Sequence, residues 1–249
     1  MKSVNSAFLP VVALVLTSLT GRAIAGEPPS VTYQVTVTSL TGGAAGFNHA
    51  GEPGGEYFAP IFMLTQDSSV TLFTPGQPPS LALAEVAEAG NPTPLVTQYT
   101  GNSHVGDIVT TSPLPSGQSK TFTIQAAANF HYFSIAAMLF PTNDEFMGLS
   151  IAALPLFTRT ETYYVNAWDA DSKPDDELCA NMAPSPDPSV FPVPECSGPQ
   201  TGFIPPVPSN AEVHISNGIH GIGSIPADVY DWRNPVAVIT ITNQGLPRD

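Results

Sequence analysis

Residues 31–40, VTYQVTVTSL, alternate apolar and polar side chains over ten positions. A period of two fits a strand with one face buried and does not fit a helix. The signal recurs along the chain. Residues 119–126 alternate after the turn Pro115-Ser116-Gly117, and residues 161–168 (ETYYVNAW), 211–216 and 235–242 (PVAVITIT) read as further strands. Residues 130–140 are aromatic and aliphatic throughout, which predicts a central strand, and residues 70–73 predict a short one. Residues 57–64 form an apolar run whose Pro60 predicts an edge or a bulge, because proline donates no ladder hydrogen bond.

One segment breaks the pattern. Residues 80–89 (SLALAEVAEA) open on a capping serine, contain good helix formers and stop at Gly90, which predicts a short helix. Residues 94–99 predict a second helical turn. Many short strands between Gly/Pro turns, with one or two short helices, make the fold class all-β, an antiparallel β-sandwich. The Pro-rich stretch 183–208 is long for a loop. It is expected on the surface, restrained only by a disulfide, and strand patterns beyond it argue against a domain boundary, so one domain is expected over residues 26–249.

The first 25 residues are expected to be removed. Lys2, the apolar stretch 7–19 and Ala23-Ile24-Ala25 make a secretory signal with cleavage near Ala25. The apolar stretch is too short to span a bilayer, and no later stretch is apolar enough to form a transmembrane segment. The expected location is periplasmic or extracellular. An oxidising compartment favours a bridge between Cys179 and Cys196, the only two cysteines. Their spacing is far from a C-x-x-C redox pair.

Seven Lys and Arg face 21 Asp and Glu, and Lys2 and Arg22 both precede or lie within the signal. Such a chain does not suit nucleic acid or anionic membranes, whose phosphates need basic partners. It suits a solvated acidic surface, cation binding or a basic partner.

Two acidic clusters stand at the ends of apolar runs. In AMLFPTNDEFMGL (137–149) the tip carries Asn143, Asp144 and Glu145; in WDADSKPDDELC (168–179) five carboxylates follow a strand: Asp169, Asp171, Asp175, Asp176 and Glu177. The second is not a helix-loop-helix calcium loop. Asp169 and Asp171 fit its first and third positions, but Lys173 and Pro174 stand at the fifth and sixth, and no Glu stands at the twelfth. The surviving geometry uses both clusters. Loops at one end of a sandwich converge, and carboxylates gathered there repel unless a hard cation such as Ca²⁺ lies between them.

The chain resembles the spondin domain, the N-terminal module of F-spondin, and the bacterial exported proteins that carry it alone. The resemblance rests on PIFMLTQD (60–67), FTPGQPPSLALAEVAEAG (73–90), LPSGQSKTFTI (114–124), AAMLFPTNDEFMGL (136–149), YYVNAWDADSKPDDELC (163–179) and VHISNGIHGIGSIPADVYDWRNPVAVITIT (213–242). It implies a C2-like sandwich with a calcium ion at one end, bound by a carboxylate of the first loop and two of the second. Asp144 and Asp169 match two of those positions; Lys173 stands at the third. The resemblance leaves three outcomes: Asp171 supplies the missing carboxylate, Asp175 does, or Lys173 neutralises the site. Asn143 is a further candidate ligand.

His214 and His220 match no zinc signature, and the glycines around them predict a tight loop whose imidazole tethers backbone groups. His49, His104 and His131 stand alone. Residues 101–106 (GNSHVG) miss the nucleophile elbow by one position and lack a following helix pattern. Asp231 and Arg233 read as a pair at the start of a strand, with Trp232 beside them. The expected function is a secreted calcium-binding module for adhesion, binding a protein or glycan of the cell surface or matrix without catalysis. A structural envelope or matrix component, whose ion only stabilises the fold, is the alternative. A metal-assisted hydrolase is weaker, because no base stands beside Asp144.

Overall fold

The computed structural model describes residues 30–42, 55–127, 129–157 and 159–245; the expected export signal and His49 lie outside them. In chain order the elements are β1 (Ser30–Ser39), β2 (Tyr57–Phe58), β3 (Phe62–Gln66), α1 (Leu81–Ala89), α2 (Thr93–Tyr99), β4 (Val105–Thr110), β5 (Ser119–Ala127), β6 (Tyr132–Phe140), β7 (Glu145–Ala153), β8 (Thr160–Val165), β9 (Ala167–Asp169), a 3-10 turn (Cys179–Asn181), β10 (His214–Ile215), α3 (Ala227–Tyr230) and β11 (Ala237–Asn243). One sheet runs β5-β1-β11-β8. The other runs β10-β9-β7-β6-β3-β4, with β2 added along β6. The pairings are antiparallel, so the chain is an all-β sandwich with short helices.

The period of two places β1. Tyr33, Val35 and Val37 turn inward, and with Ile239 and Ile241 of β11 they share one core with Met63, Phe133, Ile135 and Ala137 of the other sheet. On the outer face, the Thr36 and Thr38 hydroxyls meet those of Thr121 and Ser119, each at 2.8 Å. Strand β6 does not alternate because both of its faces are covered. Phe133, Ile135, Ala137 and Leu139 join the inter-sheet core, while Ala136 joins a second cluster with Leu83, Val86 and Ala87 of α1. Helix α1 begins where the Ser80 hydroxyl accepts the Leu83 N–H at 3.1 Å, and it ends at Gly90, whose φ of 61° suits glycine.

Several expectations need correction. Pro60 splits residues 57–64 into β2 and β3, and β3 is an inner strand, flanked by β6 and β4. Residues 70–73 form no strand. They are coil with Val70, Leu72 and Phe73 buried, and Leu72 and Phe73 donate backbone N–H groups to the Ser150 hydroxyl at 3.2 and 3.4 Å. The 161–168 run divides at Asn166: β8 belongs to one sheet and β9 to the other. The Asn234 side chain accepts the Ala167 N–H at 2.7 Å just past that crossing. Strands β4 and β7 and helix α3 carried no clear period. Cys179 and Cys196 are bridged, as expected. The Pro-rich loop is not restrained by the bridge alone, however: Phe191 stacks on Tyr57 with ring centroids 3.9 Å apart.

Candidate metal centre

The turn between β6 and β7 is shaped by its own side chains. The Thr142 hydroxyl donates to the Leu139 carbonyl at 2.5 Å and accepts the Glu145 N–H at 3.3 Å. Asn143 ties this turn to the loop after β9: its Oδ1 accepts the Glu177 N–H at 3.0 Å and its Nδ2 donates to Asp176 Oδ1 at 3.1 Å. The Asn143 amide is thus committed to joining the two loops.

Register does the rest. Glu145 pairs with Asp169 across β7 and β9, so the two acidic segments start side by side. The Asp144 carbonyl accepts the Ala170 N–H at 3.2 Å. Its carboxylate Oδ2 accepts three donors of the second loop: the Ser172 N–H at 2.6 Å, the Ser172 hydroxyl at 3.0 Å and the Lys173 N–H at 2.9 Å. Asp144, Asp169 and Asp175 each bring one carboxylate oxygen within 4.8 Å of the other two.

Of the candidates read from the sequence, Asp144, Asp169 and Asp175 are brought together, and Asp171 is not. The Asp169 carboxylate Oδ1 accepts the Asp171 N–H at 2.6 Å. Asp171 itself has a φ of 50°, and its Oδ2 accepts the Glu212 N–H at 3.1 Å, away from the cluster. Lys173 does not neutralise the site. Its backbone faces Asp144 while its ammonium runs the other way, donating to the carbonyls of Asn181, Thr201 and Gly202 at 2.9, 3.3 and 2.6 Å and pairing with Glu88 at 3.3 Å. Lys173 is the clasp that holds the Pro-rich loop to α1.

Burial raises the carboxyls of Asp144, Asp169 and Glu145, and the neighbouring acids raise them further, Asp175 in the case of Asp144 and Asp144 in the other two. Asp144 Oδ1 is buried with no hydrogen-bond partner among the described residues. A buried oxygen of that kind, among three carboxylates toward which no ammonium or guanidinium of the described residues is turned, fits a hard, oxygen-seeking cation.

The two histidines face carboxylates. His214 Nε2 lies 3.7 Å from Asp169 Oδ2 and His220 Nδ1 lies 3.6 Å from Glu177 Oε1; both rings are about half exposed. The loop around them is tethered by a carboxylate instead of an imidazole: Glu177 accepts the N–H groups of His220 and Ile222 at 2.6 and 2.8 Å. Gly223 lies so close to the Glu177 carbonyl that a Cβ would collide with it. Asp231 pairs with Arg233 and accepts the Ile219 N–H at 3.2 Å. Residues 101–104 are a turn leading into β4, where His104 Nδ1 meets Asp67 at 2.8 Å, and residues 105–106 open the strand, with no helix following. Sequence reasoning passed over Glu88, which stands among helix residues with no basic residue near it in sequence, and it counted Glu177 only as one acid of the second cluster.

Residues 52–175 match the family described as Spondin_N. No curated protein matches the chain. The matched region holds the first acidic loop, the second as far as Asp175 and all three clustered aspartates, while β1 and β11, which complete the sandwich, lie beyond its two ends. The chain therefore carries a spondin N-terminal domain.

Proposed function

We propose that this protein is an exported, non-catalytic module that binds Ca²⁺ between its two acidic loops and uses the loops so ordered to hold a protein or glycan of the cell surface or matrix. The observation that carries the reading is the meeting of Asp144, Asp169 and Asp175, with Asp144 Oδ1 buried and unbonded. Asp144 and Asp169 would hold the ion from inside and Asp175 from the exposed side; carbonyls and water commonly fill the other positions around calcium. Bound calcium would offset the mutual repulsion of the acids and fix the two loops relative to each other. The step from an ordered surface to adhesion is analogy with the family. Pull-down from surface or matrix extracts, in calcium and in chelator, tests it. Partners should be captured in calcium only, and Asp144→Asn should capture none in either buffer. Partners retained equally in chelator would favour the second reading, in which the ion only stabilises the sandwich. That reading draws support from Asp144 Oδ2, which already organises the second loop through three hydrogen bonds.

A further inference from the structure

Two cavities, of about 390 and 460 Å³, share a wall made of Asp231, Trp232 and Arg233. The first is also lined by Asn217, His220 and Asn234; the second runs on to Leu40 and Ala227. The Arg233 side chain, which lines both, is 83% exposed. The wall is held from behind. Asn234 Oδ1 accepts the Ala167 N–H at 2.7 Å, and Asp231 Oδ1 accepts the Ile219 N–H at 3.2 Å. Arg233 Nη1 donates to Asp231 and, at 2.7 Å, to the Trp232 carbonyl. Gly218 lets its loop sit against Asp231, since a Cβ there would collide with the carboxylate. Asn234 Nδ2, Arg233 Nη2 and the Asn217 amide make no hydrogen bond among the described residues, yet they line the first cavity. Polar groups fixed before a ligand arrives lose little freedom when it binds.

The chemistry of the lining narrows the ligand. Amides offer donors and an acceptor, a guanidinium offers donors and a carboxylate acceptors, and a sugar hydroxyl answers either kind. An anion is disfavoured. The guanidinium is already paired with Asp231, Glu177 lies 3.6 Å from His220 Nδ1, and the chain carries 21 acids against seven bases. An apolar side chain of a peptide would meet mostly polar groups in the first cavity. Two adjoining cavities suit successive units of one chain. The cleft is also tied to the acidic loops: Asn143 Oδ1 accepts the Glu177 N–H at 3.0 Å, and the Glu177 carboxylate accepts the His220 N–H at 2.6 Å. The loop that carries Asn217 and His220 is thus positioned by the same turn that carries Asp144.

We propose that this cleft binds a neutral glycan, one sugar unit in the first cavity and the next in the second. The inference rests on the proposed function and names the class of its partner and the place where it binds. The test presents the full exported chain, in calcium, to immobilised neutral oligosaccharides, with sulfated, sialylated and uronate-bearing oligosaccharides and a peptide array beside them. Calorimetry then follows the hits with Asn217→Ala and Arg233→Gln. Asn217 is exposed, so its truncation should leave the melting temperature unchanged. A neutral disaccharide should bind more tightly than its monosaccharide, and Asn217→Ala should weaken it about tenfold, the size of one or two lost hydrogen bonds. Binding to anionic or peptide probes alone overturns the neutral glycan. Neutral glycan binding untouched by both variants overturns the cleft. Binding to no probe overturns it too, and if matrix extracts still yield partners in calcium only, the proposed function stands without it. Equal affinity in calcium and in chelator keeps the cleft as the glycan site and overturns the part of calcium in the proposed function.

Discussion

Replacing Lys173 by Met breaks a buried ion pair from one side. The Lys173 side chain is 6% exposed and the Glu88 side chain 0%. The ammonium also serves three carbonyls, of Asn181, Thr201 and Gly202. Without it, Glu88 retains the Ile204 N–H but no cation. Removing one partner of such a pair typically costs about 3–5 kcal/mol, because the other charge stays buried. At roughly 2–4 °C per kcal/mol for a chain of this size, the melting temperature should fall by about 6–20 °C. The double variant Lys173→Met/Glu88→Gln removes both charges and should recover most of that loss, so a double-mutant cycle should show strong coupling. Urea denaturation in chelator measures the stability, and calorimetry then measures calcium affinity. Affinity of the folded Lys173→Met protein should match wild type, since the ammonium points away from the aspartates. A cost below about 1 kcal/mol, the size expected of an exposed pair, refutes the clasp. A tenfold gain in calcium affinity refutes the orientation of the ammonium.

Asp171→Asn should leave calcium affinity within about threefold of wild type, whereas Asp175→Asn should weaken it by about tenfold or more, as expected when a carboxylate ligand loses its charge; the opposite order in calorimetry would restore Asp171 as the third ligand. Cys179→Ser/Cys196→Ser should cost about 3 kcal/mol in the chain-entropy account of a short closed loop, read by denaturant titration, and the wild-type protein should show no free thiol. Stability in chelator should fall as pH rises. Burial lifts the Asp144 carboxyl from 3.8 to about 7, so the folded state favours the proton; the stability it confers is present below about pH 4 and is lost as pH climbs through about 7. Saturating calcium should reverse that slope, and melting curves from pH 4 to 8 with and without calcium read both.

The alternating strands were legible because their pattern is local: Tyr33, Val35 and Val37 announce a buried face without reference to any neighbour. The two acidic loops were legible for a related reason, since each follows an apolar run and a sandwich brings loop ends together. What could not be read locally was orientation. Asp171 and Asp175 are equal as sequence, but the short bond from the Asp171 N–H to Asp169 turns one carboxylate outward toward Glu212. Lys173 looked like a counter-charge because it stands where a ligand was expected. Apart from the nearby Asn181 carbonyl, its partners, Glu88 and the carbonyls of residues 201 and 202, come from segments distant in sequence. Residues 70–73 have strand composition, yet the N–H groups of Leu72 and Phe73 go to the Ser150 hydroxyl and not to a backbone carbonyl of a paired strand.

The crossing at Asn166 has a mechanical corollary. Val165 and Ala167 hydrogen-bond into opposite layers, so the layers cannot part without stretching the short peptide that leads to Asp169. Load that pries the sandwich open is transmitted to the acidic end first. Asp169, four residues past Val165, is thereby held in a position that depends on both layers staying together.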